Sequence, residues 1–166
     1  MFWDGELQAG QCHNGAMPQS LSLVVVHVVF STKGRVPVRD GLLVSGLHAY
    51  LATVARDHDC ECYCVGGAAD HVHLALRLSR TITVAKLVEV LKVSSSKWVK
   101  GQSPESKGFA WQRGYAAFSV GPGDVEAVRR YIGAQEEHHR KNSFQDELRV
   151  FLKKYGVDYD EQYVWD

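Results

Sequence analysis

The chain has 166 residues with 19 basic and 19 acidic side chains, so its formal net charge of +0 indicates no nucleic-acid partner by itself. This length suits one domain that buries a hydrophobic core without disulfide bonds. No apolar run reaches the length of a membrane span, and the N-terminus lacks the basic and apolar segments of a secretory signal, so we expect a cytoplasmic protein.

Residues 1–19 show no periodicity, and we interpret them as an irregular leader before a single domain at 20–166. The first predicted element is a strand at residues 21–30, where β-branched and other apolar side chains follow one another almost without interruption. Such a strand is typical of the centre of a sheet. His27 lies within it and is predicted to be a core histidine with a hydrogen-bond partner.

A helix is predicted from residue 41 to about residue 56, because apolar side chains recur there at helical spacing and Asp40 can cap its first turn. A second strand follows at 60–65. The glycine-rich residues 66–70 have the length of a hairpin connection to the next strand.

Cys60, Cys62 and Cys64 alternate along the second strand, so we expect them to share one face, where they are poorly placed to pair with each other. We interpret them as small buried side chains in a reducing compartment. A site for a soft metal ion that also uses His58 is the alternative.

The stretch at residues 71–78, HVHLALRL, alternates strictly between two kinds of side chain. Four aliphatic side chains fall on one side of a strand, and His71, His73, Ala75 and Arg77 fall on the other. Two imidazoles on one face of a rigid strand can share a metal ion if a further ligand comes from elsewhere.

The next predicted helix covers residues 84–99, with Thr83 as its N-cap. A loop leads from it to a fourth strand, predicted at Ala116–Val120. With this helix and this strand, the predicted order of elements from the first strand onwards is β-α-β-β-α-β.

Asp124 is predicted to cap a helix over residues 125–141. Ser143 then opens a last helix, which Gly156 is well placed to end because glycine readily adopts the left-handed conformation. The tail at 157–166 is acidic and aromatic.

The predicted order β-α-β-β-α-β, followed by two helices, indicates an α+β fold of the ferredoxin-like or RRM-like type, with an antiparallel sheet and helices on one face. In that topology the first and third strands are central. The two histidines therefore lie in the middle of the sheet, on the face opposite the first two helices. The helix at 125–141 is the natural cover for this face.

Tyr131 and Gln135 are four residues apart on that helix and so share one of its faces. A tyrosine phenol can act as an oxygen nucleophile, and a glutamine carbonyl oxygen can join two imidazoles on a divalent cation. These groups together suit an attack on a phosphodiester that breaks a nucleic-acid strand. His138 and His139 follow, and we interpret them as surface residues.

Residues 92–154 contain 12 basic and 7 acidic side chains, which is compatible with a phosphate-bearing partner. Trp98, Trp111 and Phe118 could stack on bases, although at least one is expected to pack in the core. The candidate contacts to a DNA backbone are Lys33, Arg35, Lys97, Lys100, Arg113, Arg129, Arg130, Arg140 and Lys141.

The His71-Val72-His73 motif resembles that of the HUH endonucleases. The motif is followed by a fourth strand and then by a helix with Tyr131 and Gln135. This order is similar to that of small single-tyrosine transposases of bacterial insertion sequences and their REP-associated relatives. The stretch WQRGYAAFSV at 111–120 fits the insertion-sequence branch better.

The resemblance implies that His71, His73 and Gln135 hold Mg²⁺ or Mn²⁺ and that Tyr131 attacks single-stranded DNA. It implies a 5′-phosphotyrosine with a free 3′-OH, so that strands are cleaved and rejoined without ATP. It also implies DNA with hairpin ends and a homodimer in which the tyrosine helix of one subunit can complete the metal site of the other. Imidazole ligands alone would favour Zn²⁺ or Cu²⁺.

Two alternatives remain at this point. One is a non-catalytic ferredoxin-like protein that binds hairpins or single strands, which would not need the set of His71, His73, Tyr131 and Gln135. The other is a replication-initiation or plasmid-relaxase member of the same superfamily, which usually has more domains than this length allows.

Overall fold

The computed structural model describes residues 21–135, 143–162 and 164–165, so the predicted leader lies outside the described residues. Within these ranges the main elements follow the predicted order. They are β1 Val25–Ser31, α1 Gly41–Asp57, β2 Glu61–Ala68, β3 His71–Arg77, α2 Val84–Lys100, β4 Ala116–Val120, α3 Val125–Gly133 and α4 Phe144–Tyr155. Among the described residues, no helix has the length and hydropathy that a membrane span requires.

The four strands form one sheet in the order β2-β3-β1-β4, and every neighbouring pair is antiparallel. This confirms the predicted α+β architecture with the first and third strands in the centre. In the pairing of β1 with β3, Ser31 lies opposite His71 and Val29 lies opposite His73. The two histidines are therefore flanked by backbone on both sides, which gives them a rigid support.

The two faces of the sheet have different covers. Alternate residues of β1, namely Val26, Val28 and Phe30, belong to the main hydrophobic core together with leucines of α1 and α2. On the opposite face, Val29 and Phe118 pack with apolar side chains of α4. The last helix therefore shares the covering of the histidine face with α3, which contacts β2 and β3. An apolar stripe predicts that α4 is buried on one side, but not where it docks.

The strand β1 begins at Val25 and not at residue 21, and Leu21, Leu23 and Val24 are exposed. The reason is the length of its partners. Val25 pairs with Arg77, the last residue of β3, and with Val120, the last residue of β4. Beyond that point the Leu78 amide donates a hydrogen bond of 2.8 Å to the Val24 carbonyl, but the strands themselves end there.

The predicted connection at residues 66–70 is shorter in the structure, because β2 continues through Gly66 and Gly67 to Ala68. A Cβ on Gly67 would lie 2.3 Å from the carbonyl oxygen of His71, and its φ is +145°. Glycine is needed at this position because other residues rarely adopt that conformation. The hairpin before His71 is thus tight.

The expectation that Cys62 and Cys64 share one face is wrong. A β-bulge separates them: Cys62 pairs with Leu76, whereas Cys64 pairs with the adjacent residue, Ala75. Because directly opposite residues share a face, Cys62 lies on the core face and Cys64 on the histidine face. The extra residue in the bulge shifts the period-two alternation. The cysteines Cys60, Cys62 and Cys64 are free thiols.

The helix predicted over residues 125–141 ends earlier, since α3 stops at Gly133 and Ala134 forms a turn before Gln135. Residues 136–142, with His138 and His139, lie outside the described residues. Ser143 accepts a hydrogen bond from the Asp146 amide at 3.2 Å, which confirms the predicted N-cap. Gly156 ends α4 in the left-handed conformation, with φ of 63°, as predicted.

The acidic tail folds back on α4 through Glu161, whose carboxylate accepts hydrogen bonds from Arg149 at 2.7 and 3.0 Å and from the Trp165 indole at 2.9 Å. The Arg149 bonds, followed by that of Trp165, lower the pKa of Glu161 from 4.5 to about 2. A carboxylate with a lowered pKa stabilises the folded state above pH 4.5, and this contribution is lost as the pH falls towards 2.

We therefore expect the tail to detach between pH 4.5 and pH 2, with a change in Trp165 fluorescence. The Glu161→Gln variant should show the low-pH emission already at pH 7, because its neutral amide loses the charge-assisted bonds to Arg149. Identical emission of the two proteins at pH 7 would contradict the docking of the tail through this carboxylate.

Candidate metal centre and nucleophile

His71 and His73 lie on one face of β3 and are 1% and 0% exposed. Each ring is held by a neighbour at Nδ1. The Nδ1 of His71 lies 2.7 Å from the Asp70 carboxylate, and the Nδ1 of His73 lies 2.9 Å from Nε2 of His27. These contacts fix both ring orientations and direct Nε2 of each ring towards a possible metal ion, as partners of metal-binding histidines commonly do.

His27 is the core histidine predicted from the first strand, and its hydrogen bond to His73 confirms this interpretation. Burial lowers the pKa of His27 to about 4, so the ring is neutral at physiological pH. One of the two rings donates a hydrogen bond to the other through its N–H group. His27 therefore supports His73 from behind, in the same way as Asp70 supports His71.

A carboxylate from α4 completes the cluster. Glu147 Oε2 lies 3.8 Å from Nε2 of His73, and one ligand atom from each of His71, His73 and Glu147 lies within 4.8 Å of the others. Among the residues that the structure describes, this is the group of histidine, cysteine and acidic side chains that could hold a metal ion. Two imidazoles and one carboxylate suit a first-row divalent ion or Mg²⁺.

Gln135, the predicted third ligand, is 1% exposed and lies against this carboxylate. Its Nε2 donates a hydrogen bond of 2.9 Å to Oε1 of Glu147. The structure thus brings Gln135 to the cluster through Glu147, and its role as a ligand remains a prediction. Burial raises the pKa of Glu147 to about 7.

Sequence analysis did not identify Glu147 as a site residue, although one signal was available. The apolar stripe of α4 includes Phe144, Leu148 and Phe151, and position 147 falls between them on the same side of the helix. A charged residue within an apolar stripe is unusual because a buried carboxylate needs a partner. This residue is only 6% exposed.

Tyr131 lies at the edge of the same cluster, in the last turn of α3. The centre of its ring is 5.8 Å from that of His73 and 6.2 Å from that of His27, in edge-to-face arrangements. Phe151 of α4 contacts the same ring at 5.5 Å. The predicted nucleophile and the predicted ligands therefore lie close together within the chain.

The helix α4 also covers the histidines with two aromatic side chains. The Phe144 ring stacks on His71 with a centroid distance of 4.6 Å, and the Phe151 ring contacts His27 edge-on at 5.4 Å. These contacts exclude water from the histidines. Electrostatic interactions within the cluster are correspondingly stronger than they would be in solvent.

The predicted DNA contacts lie mostly on the surface. Seven of the nine are exposed, and Arg140 and Lys141 lie outside the described residues. The exposed ones are Lys33, Arg35, Lys97, Lys100, Arg113, Arg129 and Arg130. Arg129 forms an ion pair of 3.3 Å with Glu126. These side chains are accessible to a phosphate backbone, and their function in DNA binding stays a prediction.

Internal packing accounts for the three aromatic residues that could have stacked on bases. The Trp98 ring stacks on Tyr50 at 5.2 Å. Trp111 donates a hydrogen bond of 2.9 Å to Ser95 and packs against Phe30. Phe118, 3% exposed, belongs to the core under α4.

Comparison with known proteins places the chain among transposases. The family model for IS200-like transposases matches residues 20–135, a segment that contains both histidines, Tyr131 and Gln135 but not Glu147. No curated protein matches the chain.

Two solved structures share the fold. A crystal structure of a protein from Deinococcus radiodurans R1, assigned as a transposase, is 21% identical with a TM-score of 0.56, and the match covers 74% of this chain and 98% of that one. A REP-associated tyrosine transposase bound to a REP hairpin is 14% identical with a TM-score of 0.50, over 78% of this chain and 74% of that one.

Proposed function

The chain belongs to the family of IS200-like transposases, and we therefore propose that it cleaves and rejoins single-stranded DNA through a covalent 5′-phosphotyrosine at Tyr131. The observation that carries this proposal is the position of Tyr131 beside His73, with 5.8 Å between the ring centres, in a buried cluster of potential metal ligands. A protein that only bound DNA would not need this combination.

In the proposed site, His71 and His73 hold Mg²⁺ or Mn²⁺, and Gln135 is a further ligand by resemblance to the family. The buried histidines, fixed at Nδ1 by Asp70 and His27, support this assignment. A bound ion would polarise the phosphoryl oxygens and stabilise the charge that develops on them.

The reaction exchanges one phosphodiester for another. The Tyr131 oxygen attacks the phosphorus, so that an O–P bond forms to the tyrosine while the P–O3′ bond breaks. The phenol proton is lost, and a proton is gained by the leaving oxygen to give a free 3′-OH. A 3′-OH from another strand can then attack the phosphotyrosine and regenerate the phenol. Because a phosphodiester is retained throughout, no ATP is required.

The proposed partner is single-stranded DNA with hairpin ends, in the cytoplasm. Support comes from the hairpin bound to the REP-associated relative and from the exposed basic residues of this chain. We further propose a homodimer. Within the single chain, Tyr131 lies beside His73, with 5.8 Å between the ring centres.

The test uses labelled single-stranded oligonucleotides from the DNA that flanks the gene. The protein is incubated with them and Mn²⁺, and complexes that survive SDS are isolated. We expect a covalent band that disappears with EDTA and whose DNA-linked peptide contains Tyr131. A retarded native complex without any covalent band would contradict the proposal and favour the non-catalytic binding protein.

A further inference from the structure

The carboxylate of Glu147 is buried. It lies in the first turns of α4 and is 6% exposed, and a carboxylate in such surroundings must be hydrogen-bonded, paired or bound to a metal ion. Its two oxygens have different neighbours. Oε1 accepts a hydrogen bond from Gln135, and Oε2 lies towards His73.

The distances at Oε2 suit a shared ion. Metal bonds to histidine nitrogen or carboxylate oxygen are about 2.1 Å long, so two ligands of one ion lie at most about 4.2 Å apart. The 3.8 Å between Oε2 of Glu147 and Nε2 of His73 is within that limit. The ligand atoms of His71, His73 and Glu147 lie within 4.8 Å of one another. Side-chain movements of only about half an ångström would bring them all within the limit of about 4.2 Å.

From this geometry we propose that Glu147 is itself a ligand of the divalent ion, through its Oε2. Nε2 of Gln135 holds the carboxylate in place by donating a hydrogen bond to Oε1 of Glu147. This inference rests on the proposed metal-dependent function and adds a residue outside the segment that the family model matches.

The carboxylate also changes the expected choice of ion. Two imidazoles alone favour Zn²⁺ or Cu²⁺, whereas each added oxygen ligand makes the site more suitable for Mg²⁺ or Mn²⁺. An anionic ligand offsets part of the ion's charge in a buried site.

The helix α4 presents this carboxylate rigidly. Leu148 and Leu152 anchor the helix in the core under β1 and β4, and Phe144 stacks on His71. The ligand atom is therefore positioned before the ion binds, which lowers the entropic cost of binding. An ion held by β3 and α4 would link the last helix to the sheet.

The experiment measures metal binding to the complete protein without DNA. Mn²⁺ affinity is determined by titration calorimetry, and the coordination of Co²⁺ is followed by its visible absorption spectrum. The variants are Glu147→Gln, which keeps the shape and an acceptor oxygen, and Glu126→Gln, which makes the same charge change at an exposed position on α3. His71→Ala is the reference for loss of the site.

We expect Glu147→Gln to bind Mn²⁺ about 100-fold more weakly and to have an altered Co²⁺ spectrum, while Glu126→Gln behaves like the wild type. Residues that only support a ligand cause losses of about 10- to 100-fold, so the spectrum decides between the two roles. An unchanged Co²⁺ spectrum in Glu147→Gln overturns the inference, whatever its affinity. If that variant does not fold, Glu147→Asp replaces it, because aspartate keeps the charge on a side chain that is one methylene shorter. An unchanged Co²⁺ spectrum in Glu147→Asp would then overturn the inference.

The His71→Ala variant shows whether a negative result concerns only the role of Glu147 or the proposed metal site as a whole. If His71→Ala loses Mn²⁺ binding and Glu147→Gln keeps the wild-type spectrum, only the role of Glu147 is wrong. If His71→Ala binds Mn²⁺ as tightly as the wild type, the metal site of the proposed function is wrong, and the inference on Glu147 falls with it.

Discussion

The Tyr131→Phe variant is expected to form no covalent complex with DNA and to lose at least about 10⁴-fold in the rate of strand cleavage. This is the scale on which loss of a nucleophile acts in other enzymes that form covalent intermediates. The phenylalanine ring keeps the edge-to-face contacts with His73 and Phe151, so we expect the fold and the Mn²⁺ affinity to remain. The measurements are an SDS gel with labelled DNA and a metal titration.

Tyr155→Phe is the matched control for this variant. Tyr155 is on α4, is 39% exposed and stacks on Phe118 at 4.7 Å, outside the histidine cluster. It should form the covalent complex at the wild-type rate. A covalent band that persists in Tyr131→Phe would show that another residue is the nucleophile.

The Gly66→Ala variant is expected to have a large effect on both stability and catalysis, although Gly66 lies outside the cluster. A Cβ at this position would lie 2.8 Å from Cγ2 of Ile132 and 2.8 Å from its carbonyl oxygen. Because one of these atoms belongs to the backbone, a side-chain rotation cannot relieve the clash, and α3 must move away from β2. We expect the free energy of unfolding to fall by about 1–3 kcal/mol, as in other overpacked sites.

The displacement of α3 should also reduce catalysis, because Tyr131 precedes Ile132 in the chain. A misplacement of about 1 Å can cost about 100-fold in rate, and we expect a loss of that order in covalent-complex formation. Denaturant unfolding and the rate of formation of the SDS-stable complex measure the two effects.

Gly133→Ala is the control for Gly66→Ala, because Gly133 follows Ile132 on α3. Apart from its chain neighbours and the backbone of its own helix, a Cβ there would meet no heavy atom of the described residues within 4 Å, and alanine favours helix by up to about 1 kcal/mol over glycine. This variant should be as stable as the wild type or slightly more so. Equal destabilisation by the two substitutions would contradict the close approach of α3 to Gly66.

The elements that sequence analysis predicted correctly depend on short-range chemistry. The alternation at β3 placed His71 and His73 on one face, because side chains of a strand point to opposite sides in turn. The caps at Asp40 and Thr83 are present as predicted, with side-chain oxygens that accept bonds from the first turns of α1 and α2. Such interactions span four residues or fewer, so local sequence determines them.

Other features depend on segments that are distant in sequence. The extension of β2 through Gly66 is set by its pairing with β3 and by the approach of Ile132 from α3. The bulge that separates Cys62 from Cys64 follows from register, which periodicity in one strand does not determine. The early end of α3 at Gly133 likewise could not be read from a helical pattern that continues beyond it.

The order of elements, the shared face of His71 and His73, and the helix that carries Tyr131 could be predicted from the sequence alone, because each rests on local periodicity or on a recognisable motif. The position of Glu147 beside the histidines and the contact of Gln135 with its carboxylate are visible only in the folded chain. The reason is that the docking of α4 depends on how its apolar side chains fit between Val29 and Phe118, and packing of this kind has no signature in the sequence of either partner alone.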